Sequence, residues 1–396
     1  MGNTPTKQPL FVAGPSVTIA EGPGNVALGD VNRDGWLDLV VSSGKGRSIM
    51  VLLNDVDGAG GAGPGKGVRK SADKSEGMFR AAARTTSVPD IPGEIVLGDV
   101  NGDGNPDLAF VSHDSYNVIL LLGDGKGGLA LAPNSTLVMK QGQHPHTHGL
   151  GIADLNNDGK LDLVTVNNAD NDVSVAFGDG RGGFTRAPGS PFDVGPSPYP
   201  LALGDVNADG RLDIVATASA TGPARAQQLQ LSRALTLLLG NGRGGFQTSR
   251  IPMRTGEPWF VAIGDVNGDR KPDLVVTHHE QRELTVLLGD GAGNFREAVG
   301  SPFDLGHNAF QLVLADVNHD GRMDVISAAG DGVRVMLGDG SGSFKPAPDS
   351  PFATGRGTWR LALGDVNRDG EVDVVTCNSE SNTVGVLLGN SVSAPR

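Results

Sequence analysis

Residues 29–41 read GDVNRDGWLDLVV. Oxygen-bearing side chains fall at every second position from Asp30 through Asn32 to Asp34 and return at Asp38, where an apolar run begins. The stretch recurs as GDVNGDGNPDLAFV, ADLNNDGKLDLVTV, GDVNADGRLDIVAT, GDVNGDRKPDLVVT, ADVNHDGRMDVISA and GDVNRDGEVDVVTC. The seven first aspartates are Asp30, Asp99, Asp154, Asp205, Asp265, Asp316 and Asp365, spaced 69, 55, 51, 60, 51 and 49 residues apart. That is a repeat of about fifty residues with two enlarged copies, the size of one four-stranded propeller blade.

Each repeat reads as strands and turns. A short apolar strand such as LALG leads into the acidic loop, and LDIVAT leaves it as a second strand. A third strand such as TVLLG follows, then a glycine-rich turn such as GDGRGGF (178–184) or GDGAGNF (289–295), then a more polar outer strand. Short Val, Ile and Leu runs bounded by Gly, Asn and Asp are strand-and-turn chemistry, and no segment has helical periodicity with caps. The last repeat stops after VGVLLGN (384–390), a third strand without a fourth, while FVAGPSVTIA (11–20) precedes the first loop as an orphan. Pairing them completes the seventh blade and removes open edges. The expected fold is all-β: a closed ring of seven antiparallel four-stranded blades, forming one domain over 1–396 with insertions at 54–79 and 219–233.

The bulk composition agrees. Sixty glycines and 24 prolines accompany 38% apolar residues, enough for a packed core. No apolar run reaches the ~18 residues of a membrane-spanning helix. One cysteine, Cys377, excludes a disulfide framework. The net charge is −13, and three aspartates in each of seven loops supply 21 of the 45 acidic residues. The acidity is therefore local, and no basic stripe with interleaved aromatics suggests nucleic acid.

The chemistry of the loop follows from its spacing. An EF-hand would need Glu at the twelfth position, which here holds Val41, Phe110, Thr165, Ala216, Val276, Ser327 and Thr376. The ninth position is Asp in every copy. The expected oxygen donors are the side chains of Asp30, Asn32, Asp34 and Asp38 with the carbonyl of Trp36. In the second loop they are Asp99, Asn101, Asp103 and Asp107 with the Asn105 carbonyl. The third offers Asp154, Asn156, Asp158 and Asp162 with Lys160, and the fourth Asp205, Asn207, Asp209 and Asp213 with Arg211. The fifth offers Asp265, Asn267, Asp269 and Asp273 with Lys271, and the sixth Asp316, Asn318, Asp320 and Asp324 with Arg322. The seventh offers Asp365, Asn367, Asp369 and Asp373 with Glu371. An all-oxygen cage with three negative charges suits calcium better than zinc. A mere preference of turns for Asp and Asn does not explain three mutually repelling carboxylates repeated seven times. Up to seven calcium ions are expected. The fifth site should be the weakest, because Arg270 stands where the other loops have Gly.

This Asp-x-Asn-x-Asp-Gly-x-x-Asp loop, with its following strand and Gly-rich turn ending in Phe, resembles the FG-GAP/VCBS repeats. These build the seven-bladed head of integrin α subunits and many secreted proteins. The resemblance implies calcium loops joining the first two strands of each blade on one face. It implies adhesion only weakly, since one fold hosts many functions, and nothing here matches an integrin's inserted domain.

Ligand candidates lie on the opposite face. His113, His144, His146, His148, His278, His279 and His307 fall in segments expected there, and only His319 lies in an acidic loop. In QHPHTHG (143–149) the three histidines alternate, so an extended backbone would point them to one side. With His113 they are a candidate site for zinc, copper or nickel, weighed against a solvated polar loop. Tyr199, Trp259, Phe260, Phe310 and Trp359 precede or open first strands, placing them near the channel mouth. They read either as rim packing or as a platform for a sugar or peptide. The expected ligand-face residues are thus His113, His144, His146, His148, Tyr199, Trp259, His278 and Trp359.

No nucleophile elbow or HExxH motif is present, and no catalytic residue is assigned. The expected function is a non-catalytic, calcium-stabilised binding or adhesion module, monomeric and extracellular, cell-surface or periplasmic. Its partner would be a protein or carbohydrate on the face away from the calcium loops. The alternatives are a polysaccharide lyase or metal-dependent enzyme using the His113/His144/His146/His148 region, and a lectin with one sugar pocket per blade.

Overall fold

A computed structural model describes residues 9–54, 78–79, 84–143, 145–218, 233–254, 256–278 and 281–390. Seven antiparallel sheets follow one another along the chain. The first strands are Asn25–Gly29, Pro92–Gly98, Thr147–Ala153, Leu201–Gly204, Pro258–Gly264, Leu312–Ala315 and Thr358–Gly364. Each runs into an acidic loop, and every second strand begins on that loop's ninth residue, from Asp38–Ser43 in blade 1 to Asp373–Asn378 in blade 7. Phe11–Thr18 pairs with Thr383–Gly389, Phe11 opposite Gly389 and Thr18 opposite Thr383, so the N-terminal strand completes blade 7. This is the closed seven-bladed β-propeller expected. The insertions at 54–79 and 219–233 lie outside the described residues except for Asn54, Met78, Phe79 and Arg233.

The second strands read as unbroken apolar runs because both of their faces are covered. In blade 1, Leu39 and Val41 pack with Val375 and Val386 of blade 7. Val40, between them, faces the other way and packs with Ile95 and Leu108 of blade 2. The same alternation generates an apolar layer between every successive pair of blades, seven layers in all. The stabilising surface is therefore distributed around the ring.

Two details depart from a simple four-strand blade. In blades 3 and 5 the outer strand is divided. Phe184–Arg186 and Phe192–Asp193 both pair with the third strand of blade 3, and Phe295–Glu297 and Phe303–Asp304 do so in blade 5. The first strands of blades 2, 3, 5 and 7 also change register near their starts. The breaks fall between Pro92 and Ile95, His148 and Leu150, Pro258 and Val261, and Thr358 and Arg360. Such bulges turn side chains out of the strict alternation of a strand, and here they sit on the face away from the acidic loops.

Candidate functional site

On one face the acidic loops are folded by their own side chains. In the first loop, Asp30 accepts the N–H groups of Asp34 (3.0 Å) and Gly35 (2.8 Å), and Asn32 Oδ1 accepts that of Asp34 (3.0 Å). Asp34 Oδ1 accepts the N–H of Trp36 at 2.8 Å. The other loops repeat this scheme with small variations; in the fifth, the Arg270 N–H reaches Asp265 Oδ2 at 2.7 Å. Two residues of every loop take positive φ, at the fourth and sixth positions. Arg33 (60°) and Gly35 (87°) do so in the first loop, and Gly268 (77°) and Arg270 (64°) in the fifth. The sequence pointed only to the sixth.

The ninth aspartate has a structural task. Asp162 Oδ2 accepts the N–H of Leu155 (2.9 Å), and its Oδ1 accepts that of Gly178 (2.9 Å) at the end of the third strand. A Cβ at Gly178 would stand 2.1 Å from the Leu161 carbonyl oxygen, so glycine is required there. Asn54 takes the equivalent place in blade 1, donating its N–H to Asp38 and its side-chain amide to the Val366 carbonyl of blade 7. Burial, reinforced by the loop's other carboxylates, pushes these groups up, to about 7 for Asp38 and Asp373 and about 6 for Asp162 and Asp324. The same causes raise Asp107, Asp213 and Asp273. Each is a buried carboxylate whose ionised form lacks a basic partner among the described residues, a donor set that fits a cation. The oxygens engaged by one N–H keep a second lone pair for such an ion.

The opposite mouth of the channel carries rings. His148 meets Tyr199 (centroids 4.0 Å, planes 35° apart), and Tyr199 stacks on Trp259 (4.2 Å, 17°). These three residues come from blades 3, 4 and 5 in succession. On the far side of His148 lie His146 (4.4 Å) and His113 (5.0 Å), with planes 73° and 78° from its own. One ring nitrogen from each histidine lies within 4.8 Å of the others, an arrangement unique to this trio among the His, Cys, Asp and Glu of the described residues. Backbone bonds hold the segments together. Thr147 N–H donates to the His113 carbonyl (3.1 Å), Asn168 N–H donates to the His146 carbonyl (2.8 Å), and Thr147 Oγ1 donates to Ser115 O (2.8 Å). Burial lowers His146 and takes His148 down to about 2, with neighbouring imidazoles adding to the effect. Both are therefore neutral at physiological pH.

Arg360 completes the mouth. Its guanidinium lies 5.1 Å from the Phe260 ring centroid and 4.9 Å from that of Trp359. The residue is only 6% exposed, and its Nε and Nη1 have no hydrogen-bond partner among the described residues. Among the described residues no carboxylate forms an ion pair with it. Its charge acts on both His148 and Tyr199, which places it beside the ring stack. Glu94 enters from blade 2, where its Oε2 accepts the Leu150 N–H at 3.3 Å.

Of the expected ligand-face residues, the structure brings together His113, His146, His148, Tyr199 and Trp259, with Trp359 linked through Arg360. His144 and the neighbouring candidate His279 lie outside the described residues. His278 is placed elsewhere. It is 1% exposed, and its Nε2 is 2.7 Å from Thr285 Oγ1 inside blade 5. His307 is likewise internal, bonded to Leu305 O at 2.9 Å. Arg360 and Glu94 were missed by sequence reasoning. An arginine inside the apolar strand TWRLALG was the available signal.

Comparison with known proteins agrees with this architecture. The FG-GAP-like repeat matches residues 99–165, 154–216, 265–327 and 316–376, more than half of the chain. No curated protein matches the sequence. Among solved structures, BBS1N in complex with ARL6DN, soaked with lead, is similar at TM-score 0.63 and 11% identity, covering 98% of this chain and 99% of that one. An Agrocybe aegerita lectin described as recognising non-reducing terminal N-acetylglucosamine has TM-score 0.53 and 18% identity, over 83% of this chain and 80% of its own. A catalytically inactive virginiamycin B lyase from Staphylococcus aureus, with quinupristin, has TM-score 0.54 and 11% identity, over 96% and 99%. At these identities the likeness concerns the fold alone. From its repeats and its ring of seven blades, the chain belongs to the FG-GAP-like repeat family.

Proposed function

We propose that the protein is a calcium-stabilised, secreted, non-catalytic binding module, with its ligand seated at the channel mouth opposite the acidic loops. One observation carries the reading: the His148–Tyr199–Trp259 stack, assembled from three successive blades. Flat rings with polar edges suit a sugar ring or an extended peptide. The buried guanidinium of Arg360, with Nε and Nη1 unpartnered among the described residues, adds a preference for a ligand bearing an anionic group, because ionic pairing would offset the cost of burying that charge. The shared fold of the Agrocybe aegerita lectin makes a saccharide the first class to test. Calcium in the acidic loops would neutralise the carboxylates that crowd each turn. The donors would be the Asp and Asn side chains at loop positions one, three, five and nine together with the backbone carbonyl at position seven.

The test is an array of neutral and acidic glycans probed in calcium, followed by titration calorimetry on the strongest hit. Saturable binding that Trp259→Ala weakens at least tenfold supports the proposal. A hit that the substitution leaves unchanged, or an array without hits together with no peptide binding, overturns it. A metal-dependent lyase is the second reading, favoured by the histidine trio. It would be recognised by metal-dependent formation of unsaturated products from uronate polysaccharides.

A further inference from the structure

We propose that His113, His146 and His148 form a binding site for one divalent transition-metal ion of the zinc class, at the channel mouth and chemically separate from the acidic loops. The first ground is convergence. Three imidazoles from two chain segments place one nitrogen each within 4.8 Å of one another. Their ring planes are 70° to 78° apart, so they meet edge to face around a common point and do not stack.

The second ground is the arrangement of lone pairs. His146 Nε2 and His148 Nε2 are 2.7 Å apart. Only one proton fits between two such nitrogens, so at least one of them presents a lone pair inward. His113 Nδ1 lies 2.6 Å from Asp114 Oδ1. A carboxylate there fixes the proton on Nδ1 and leaves Nε2 as the donor atom, the usual support of a metal-binding histidine. The bonds from Thr147 N–H to the His113 carbonyl and from Thr147 Oγ1 to the Ser115 carbonyl hold the two segments together without any metal, and Asn168 N–H anchors the His146 carbonyl. The register shift between His148 and Leu150 breaks the strict alternation of the strand beside that ring.

The third ground is selectivity. Three imidazole donors without a thiolate suit zinc, copper, nickel or cobalt and discriminate against calcium and magnesium, which take oxygen. Three protein ligands leave one position of a tetrahedral ion free. With the Tyr199 ring 4.0 Å from that of His148, a ligand lying on the stack would be within reach of that position. The inference stands independently of the ligand proposed above, since the metal can bind with no ligand present.

The experiment uses the full chain, stripped with chelator, dialysed into excess calcium, and titrated with zinc by calorimetry and with cobalt(II) by visible absorption. The expected result is one zinc per chain and the strong d–d absorption of a four-coordinate, nitrogen-rich cobalt site. His146→Ala should weaken zinc binding at least a hundredfold. Asp114→Asn should weaken it roughly tenfold by releasing the His113 ring. His319→Ala, on the acidic-loop face, should change nothing. His113→Ala, in a surface turn, replaces His146→Ala should the latter fail to fold. Absence of stoichiometric zinc uptake in the wild type, or uptake unchanged by either histidine variant, overturns the site.

Discussion

Tyr199 and Trp259 stack with ring centroids 4.2 Å apart and planes 17° from parallel, although each stands at the start of a different blade's first strand. The pair is therefore a property of the ring and of no single blade. Both residues also lean on the apolar layer between blades 5 and 6. Both rings are half-buried at the channel mouth, which places the stack within reach of a ligand there.

Removing one ring of that floor should cost affinity and leave the fold intact. Trp259→Ala should weaken the best ligand at least tenfold, about 1.4 kcal/mol, in keeping with the value of one aromatic contact plus its buried area. Calorimetric titration gives the affinity and circular dichroism the fold. Full affinity in a folded variant would place the ligand elsewhere.

Arg360 should behave as a charge kept for a ligand. Because its Nε and Nη1 lack partners, Arg360→Met should leave the melting temperature unchanged or raise it, as an apolar chain of similar length removes an uncompensated charge. Millimolar sulfate or a simple carboxylate should raise the melting temperature of the wild type and not of the variant. A variant that unfolds readily, with no anion effect in either protein, would assign the guanidinium to packing over Phe260 and Trp359 instead.

Two buried histidines set an acid limit. Burial takes both His278 and His307 from 6.5 down to about 4. A depressed folded-state value means that their contribution is complete above pH 6.5 and is lost as pH falls toward 4. Each can supply up to about 3 kcal/mol across that window, at 1.36 kcal/mol per pKa unit. Urea unfolding at saturating calcium should show falling stability from pH 6.5 to 4.5. His307→Gln should flatten that decline relative to wild type. Parallel pH profiles for the two proteins would contradict the assignment.

Much of this was legible in the sequence, for identifiable reasons. The acidic loop is local, since apart from one oxygen of the ninth aspartate its side-chain oxygens bond N–H groups two to seven residues away, so its seven copies announced seven blades. The second strands announced themselves because Leu39, Val40 and Val41 are all buried, facing alternately toward two neighbouring blades. The mouth was only half legible. His146 and His148 alternate in the sequence, yet His113 joins them through the pairing of blade 2 with blade 3. Arg360 and Glu94 were hidden because bulges at the strand starts redirect side chains that a two-residue alternation would assign differently. His278 was grouped with the face because its segment ends there, and the segment alone did not reveal that its ring turns into the blade.

The fifth loop offers a test of backbone strain. Arg270 holds φ at 64°, where the equivalent residue of every other loop is glycine. Arg270→Gly should stabilise the calcium-free protein by roughly 1 kcal/mol and tighten the weakest calcium step, both measurable by urea unfolding and calcium titration. A neutral or destabilising result would show that the loop accepts arginine without strain.

The claim on which most else rests is that a bound cation balances the crowded carboxylates of each acidic turn. It is tested most directly by counting calcium in the purified, dialysed protein and melting that same sample before and after chelation. The account predicts close to seven calcium ions per chain and a large fall in melting temperature once they are removed. Fewer than one calcium per chain, with a melting temperature indifferent to the chelator, would contradict it.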